Sequence, residues 1–223
     1  SLVGCHGQTI WHRPPESDAT GRLRRGCSWQ MLQGPLLAQM LERPVIHDFR
    51  AADLALGGQG APLVPMADAA LMGRIDGWRA LLNLGGIANI TLIPPSRGPD
   101  RKRPVLGWDC GPANSLIDLA MEAFSDGRER CDRDGRMAEL GRVMDEPLAN
   151  WLREPYFLQR APKSTGRELF GRKDLERRLS ELQPACREDQ MATLTAFTAA
   201  VVAKDLEQLS HFNLPLPVEM VVA

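Results

Sequence analysis

Val105-Leu106-Gly107-Trp108-Asp109-Cys110-Gly111-Pro112-Ala113-Asn114 carries an apolar run into a carboxylate, a Gly-Pro pair and the start of an amphipathic pattern. Leu116, Ile117, Ala120, Met121 and Phe124 then recur at helical spacing, so the stretch predicts a strand over 105–109, a turn, and a helix capped by Asn114 or Ser115. Ser115-x-x-Asp118 has the outline of a capping box. Just upstream, 79–84 and 88–93 are apolar runs separated by Gly85-Gly86-Ile87, a spacing that reads as a tight hairpin with a phosphate-sized turn. Downstream the pattern is helical over 137–153, interrupted by Pro147, then over 167–182 and 189–209, before 218–223 supplies a last strand. Toward the N-terminus a stub strand at 1–3, a short helix at 36–41 and a strand at 44–48 complete an alternation that predicts an α/β architecture with a largely parallel sheet.

Asp109 is the most informative position for chemistry. In open α/β sheets ligands sit beyond the carboxyl ends of strands, and a carboxylate there can act as a general base. An Asp before Gly can equally serve a turn by satisfying backbone amides. The hairpin Asn83-Leu84-Gly85-Gly86-Ile87-Ala88-Asn89 could offer backbone amides to an anion, or carry its glycines for turn geometry alone. Residues 57–65 read as an ordered loop against a ligand or as a rigid connector. Pro162-Lys163-Ser164-Thr165-Gly166-Arg167-Glu168 places two cations around hydroxyls, fit for an anion or for a helix entry.

Composition excludes several classes. The chain has 223 residues, with 27 Lys plus Arg against 28 Asp plus Glu, so no long-range field favours nucleic acid or an anionic membrane. Five scattered cysteines without a C-x-x-C pair argue against a disulfide framework and a zinc site and fit reduced thiols in the cytosol. P-loop, dinucleotide-fold and zincin motifs are absent. The opening Ser1-Leu2-Val3 enters a strand directly, and 218–223 stops without a turn, so a segment is expected to be missing on each side.

Six segments in register resemble one family. They are His6-Gly7-Gln8-Thr9 with His12-Arg13-Pro14; Asp48-Phe49-Arg50 followed by Asp53 and the 57–65 loop; Asn83 to Asn89; Gly107 to Asn114; Asp132-Arg133-Asp134-Gly135; and Pro162 to Phe170. In order and spacing they are similar to the anhydro-N-acetylmuramic acid kinases, sugar kinases of the actin-like ATPase class. Ala113 stands where that family usually has Gly, and the stretch 29–35 departs from its pattern. The family's Gly-Thr-Ser-x-Asp-Gly phosphate loop and its glycine-rich adenosine loop are not in the chain.

The resemblance implies an α/β, actin-like (ribonuclease H-like) ATPase fold, two α/β domains around a nucleotide cleft, incomplete at both ends. Residues 1–76 would be the remainder of the N-terminal domain and 77–223 the C-terminal domain with a helical insertion. It implies a cytoplasmic, ATP- and Mg²⁺-dependent kinase of cell-wall recycling. Such an enzyme opens the 1,6-anhydro ring of anhydro-N-acetylmuramic acid with water and phosphorylates O6. Asp109 matches the catalytic base. Gly85, Gly86, Asn89, Gly111 and Asn114 would border ATP; His6, Gln8, Asp48, Arg50, Gln59, Gly60, Lys163 and Arg167 would border the sugar. No residue is assigned to a metal, the partners are the amino sugar and ATP, and a homodimer is compatible with the pattern. Two alternatives stay open: a catalytically silent sugar-binding or regulatory remnant, and a hydrolase pairing Asp109 with Asp132 or Asp134.

Overall fold

The computed structural model describes residues 1–17, 21–74, 76–166 and 168–223. The chain forms two compact units, Ser1–Leu63 and Val64–Ala223.

The first unit runs β1 (Val3–Gly4), β2 (Gln8–Arg13), β3 (Glu16–Ser17), β4 (Leu23–Arg24), β5 (Cys27–Met31), α1 (Gly34–Leu41), β6 (Val45–Ile46) and α2 (Phe49–Ala55). β1 and β6 pair in parallel, whereas β2 and β5 form an antiparallel ribbon with Thr9 opposite Gln30 and Trp11 opposite Trp29. That ribbon is invisible to a period-2 search, because an irregularity between Thr9 and Trp11 shifts the register. α1 starts with Pro35 in its first turn and ends at Glu42 in the left-handed region, φ 50°.

The second unit adds α3 (Pro65–Met72), β7 (Arg79–Leu84), β8 (Ile87–Ile93), β9 (Leu106–Pro112), α4 (Asn114–Phe124), α5 (Arg136–Leu140), α6 (Asp145–Trp151), α7 (Arg172–Glu181), α8 (Arg187–Glu207) and β10 (Glu219–Val222). Its sheet has the order β10-β7-β8-β9. The architecture is mixed α/β, as the alternation implied, but the largely parallel sheet is corrected: only β10 and β7 run parallel, and the two other pairings are antiparallel. The Gly85-Gly86 turn joins β7 directly to β8, and a two-residue turn allows no parallel crossover. The one parallel pairing follows the long helical excursion from α4 to α8, the kind of connection a parallel strand needs.

Two further corrections concern β9 and its helix. The strand runs on past Asp109 to Pro112, so the carboxylate lies inside the strand. β9 is an edge strand, where proline is tolerated because no ladder donor is lost. α4 begins at Asn114, and neither Asn114 nor Ser115 acts as a side-chain cap. Instead the amides of Ala113 and Ser115 donate to the Gly86 carbonyl and that of Asn114 to the Gly85 carbonyl, each at 3.0 Å. The helix start is thus satisfied by the hairpin turn.

The expected 137–153 helix divides at Gly141, where an added Cβ would stand 2.0 Å from the Glu188 carbonyl oxygen. Pro147 falls in the first turn of the second piece, a position it tolerates. One sheet face, with Ala80, Leu82, Ala88, Ile90, Leu92 and Trp108, joins the hydrophobic core with Leu116 of α4 and Leu194, Phe197 and Val201 of α8. At the other face Thr91 is buried and donates to Asp68 of α3 at 2.7 Å.

A cation closes the helical side. Arg178 of α7 is 0% exposed, its guanidinium 4.8 Å from the Trp151 ring and 4.5 Å from the Phe197 ring. It donates to Glu154 at 2.8 Å and to Asp174 at 2.9 Å. Truncation would strand partly buried carboxylates and open a void between two aromatic rings. Arg178→Ala is therefore expected to cost about 3–5 kcal/mol, read as a lower urea midpoint at unchanged slope. Lys at 178 should recover only part, since it lacks the planar fork.

Candidate active site

Asp109 lies opposite Asn89, which lies opposite Asn83. Directly opposed residues of antiparallel strands share a face, so the three make a polar row across β7, β8 and β9. Exposure falls along it, from exposed Asn83 through half-buried Asn89 to Asp109 at 6%. The β8/β9 register shifts between Ala88 and Asn89, pairing with Gly111 and Asp109 and leaving Cys110 as the extra residue. Such a bulge bends its strand and re-aims the neighbouring side chains.

The segment 156–165 surrounds Asp109. Tyr156 Oη donates to the Asp109 carbonyl at 2.8 Å, and the Asp109 amide donates to the Lys163 carbonyl at 2.9 Å. Ser164 Oγ and the Thr165 amide donate to Asp109 Oδ2 at 3.1 and 3.0 Å. This carboxylate is oriented by the protein and is 6% exposed.

Lys163, expected at the sugar, has its ammonium directed inward. Nζ lies 2.8 Å from Asp205 Oδ1, with side-chain exposures of 2% and 4%. Asp205 Oδ2 accepts the Trp108 indole N–H at 3.0 Å, and the Cys110 thiol also bonds to this carboxylate. Burial raises the Asp205 pKa, while Lys163 and those donors oppose the rise. Burial, reinforced by the neighbouring carboxylates, holds the Cys110 thiol well above its ordinary range, which disfavours the thiolate. Arg167 lies outside the described residues.

At the hairpin, Gly85 and Gly86 spend carbonyls on the start of α4. Asn114 Nδ2 likewise donates to the Leu84 and Gly85 carbonyls, at 2.6 and 3.2 Å. Asn114 therefore braces the turn. A Cβ at Gly85 would find its nearest neighbour 3.8 Å away, whereas one at Gly111 would stand 2.7 Å from Phe157 Cε1. Core packing accounts for Gly111; Gly85 is not required by its own chain.

In the first unit a separate cluster forms around α2. Arg50 donates from Nε to His6 Nε2 and from Nη1 to the Gly60 carbonyl, both at 2.8 Å, and the Gly60 amide donates to Asp53 Oδ2 at 2.7 Å. His6 Nδ1 donates to the Gly7 carbonyl at 2.8 Å, which fixes its tautomer. His6, Arg50 and Gly60 are thus brought together. Gln59 is half-buried in the adjoining loop, whereas Gln8 is exposed at the start of β2 and the Asp48 carboxylate pairs with His47 at 2.8 Å.

The sequence reading missed Asp53 and His12 as members of this cluster. His12 Nδ1 meets Ser28 Oγ at 3.2 Å, its Nε2 is buried without a hydrogen-bond partner, and burial with the nearby Arg50 charge lowers its pKa. It also missed Tyr156 and Asp205, which come from segments far along the chain. Among the described residues no group of three His, Cys, Asp or Glu gathers to hold a metal, and no helix is long and apolar enough to cross a membrane.

Comparison with known proteins places this geometry in context. A family model described as anhydro-N-acetylmuramic acid kinase matches residues 1–218. A relative of that name from Synechococcus sp. (strain CC9311) is 71% identical over 222 residues, covering 100% of this chain and 58% of the relative. Another, from Synechococcus sp. (strain WH7803), is 68% identical over 228 residues with the same coverage. A third, from Prochlorococcus marinus (strain MIT 9313), is 62% identical over 222 residues, covering 100% of this chain and 57% of the relative. The chain therefore spans little more than half the length of the curated relatives it matches.

The two glycines separate by experiment. Gly111→Ala is expected to lower stability by about 1–3 kcal/mol, because Phe157 cannot yield without disturbing the core. Gly85→Ala should stay within about 0.5 kcal/mol of the parent, both read by urea denaturation.

Proposed function

This chain belongs to the anhydro-N-acetylmuramic acid kinase family, and we propose that the protein phosphorylates O6 of anhydro-N-acetylmuramic acid from ATP while water opens the 1,6-anhydro bond. The reaction would be cytoplasmic and would yield N-acetylmuramic acid 6-phosphate and ADP. The observation that carries the reading is the Asp109 carboxylate, held by Ser164 and Thr165 inside a strand of the family's Gly107–Asn114 motif.

In this reading the actin-like ATPase architecture is taken for the whole protein, with 77–223 as its C-terminal α/β domain and 1–76 belonging to the N-terminal one. Asp109 removes a proton from water as the oxygen attacks the anomeric carbon. The C1–O6 bond breaks, O6 takes the γ-phosphoryl group, and ADP leaves. Each part suits its residue. A carboxylate within hydrogen-bond reach of water serves as general base. The fixed Oδ2 leaves little rotational freedom to lose when the water is seated.

Mg²⁺ bound with ATP would supply charge neutralisation on the transferring group. The open space at Gly85 is compatible with close approach of a phosphate, and Gly86 and Asn89 adjoin it. Asn114 and Gly111 would support that turn from beneath, since their positions are spent on the hairpin and on Phe157. His6, Arg50, Gly60 and Gln59 are proposed to hold the sugar's polar groups, with Gln8, Asp48 and Arg167 as outer members. Lys163 acts on the sugar only through the loop it anchors.

Asp109→Asn keeps the side-chain shape and removes the base. In the full-length protein, kcat for sugar phosphorylation should fall about 10²–10⁴-fold, followed by ADP release and by the 6-phosphate product, with KM for ATP little changed. Parent-level turnover in that variant would remove Asp109 from its role. Gly85→Ala, folded as the parent, should weaken ATP binding by calorimetry; equal affinity would take the hairpin away from the phosphates.

A further inference from the structure

We propose that the buried Lys163–Asp205 pair is a positioning device for Asp109, fastening the 163–165 loop to α8 so that the carboxylate keeps one orientation. This rests on the reading of Asp109 as the base. Lys163 is the hinge of the geometry. Its carbonyl accepts the Asp109 amide at 2.9 Å, and the next two residues supply the donors to Asp109 Oδ2 at 3.1 and 3.0 Å. Its side chain turns the opposite way, into the core, to Asp205 at 2.8 Å.

The pair joins three elements. Asp205 belongs to α8 and takes the indole N–H of Trp108, the residue before Asp109 on β9. Lys163 Nζ also lies 4.9 Å over the Tyr156 ring, whose hydroxyl donates to the Asp109 carbonyl. The Asp109 hydrogen bonds with Tyr156, Lys163, Ser164 and Thr165 thus involve the ring beneath the ammonium, the residue that carries it and the two residues that follow.

A buried ion pair is weak grounds for stability, since desolvating two charges offsets their attraction, and apolar replacement of both is often neutral. Directional strength is what it supplies. A point charge between a helix carboxylate and an aromatic face fixes the loop's register, where an apolar side chain would allow it to slide. Displacement of a catalytic group by about 1 Å can cost on the order of 10²-fold in rate.

The test uses the full-length protein with ATP, Mg²⁺ and anhydro-N-acetylmuramic acid. The double variant Lys163→Met with Asp205→Asn removes both charges, keeps the volume, and leaves an acceptor for Trp108. We expect it to fold, with near-ultraviolet circular dichroism like the parent, while kcat falls about 10–100-fold and KM for ATP stays within about twofold. Parent-level kcat in the folded double variant overturns the inference. Should that variant fail to fold, Ser164→Ala reads the same loop at a less buried position. It should lower kcat several-fold with KM for ATP held, and Ser164→Thr should restore it. Unchanged kcat in Ser164→Ala also overturns the inference. If the parent itself transfers no phosphate, the kinase reading falls and the positioning role falls with it; an active parent with indifferent variants sinks the positioning role alone.

Discussion

Asp205 is a carboxylate with almost no access to water, and the second unit is arranged around satisfying it. Desolvation alone would drive it to the neutral acid. Lys163, the Trp108 indole and the Cys110 thiol oppose that drift. They come from the 163 loop and from two residues of β9 that flank Asp109, so solvating one buried charge joins a helix, an edge strand and a loop. Edge strands have one unpaired side and are the easiest part of a sheet to displace. β9 is held from its core face by Trp108 and Cys110 and along its backbone by Tyr156 and Lys163.

The start of α4 follows a related economy. Helix starts present unpaired amides, and here the hairpin's own carbonyls accept them. The Gly85-Gly86 turn is therefore locked to α4, and Asn114 doubles the attachment through its side chain. An anion at this turn would meet the turn itself, because the first α4 amides are already engaged. In the proposed reading, Asn114 and Gly111 brace the turn that would meet ATP.

Much of the second unit was legible in the sequence because its signals are local. The apolar runs around Gly85-Gly86 gave the hairpin, and the pattern over 189–209 gave the last helix and its continuation, in which Leu194, Phe197, Val201, Val202 and Leu209 are buried and Leu206 is half-buried. The hairpin fixes its own pair as antiparallel, but the direction of the β8/β9 and β7/β10 pairings was not legible, since it depends on longer connections and not on alternation. The continuation of β9 through Gly111 and Pro112 was hidden for a different reason. Gly-Pro usually marks a turn, but on an edge strand the proline costs no ladder bond, and Gly111 admits Phe157. Asp109 could be singled out by its motif, whereas its supporting residues could not. Tyr156 and Asp205 are 47 and 97 residues along the chain from the β9 groups they bond, and no periodic pattern links such positions.

The two faces of the sheet divide structural and chemical duties along one strand. Side chains alternate across β9, and the bulge at Cys110 adjusts that alternation where the functions meet. Trp108 and Cys110 turn to the core and to Asp205, while Asp109 shares its face with Asn89 and Asn83. In the proposed reading of Asp109 as the base, its burial to 6% exposure limits exchange with bulk solvent, so a water seated beside it would be separated from competitors. Such burial is tolerable only when the carboxylate's hydrogen-bonding demand is met. Ser164 and Thr165 meet it at Oδ2, and they approach from a loop whose position depends on a charge buried behind the sheet. In the proposed reading, the face that carries Asp109 is thus kept in order from the core face.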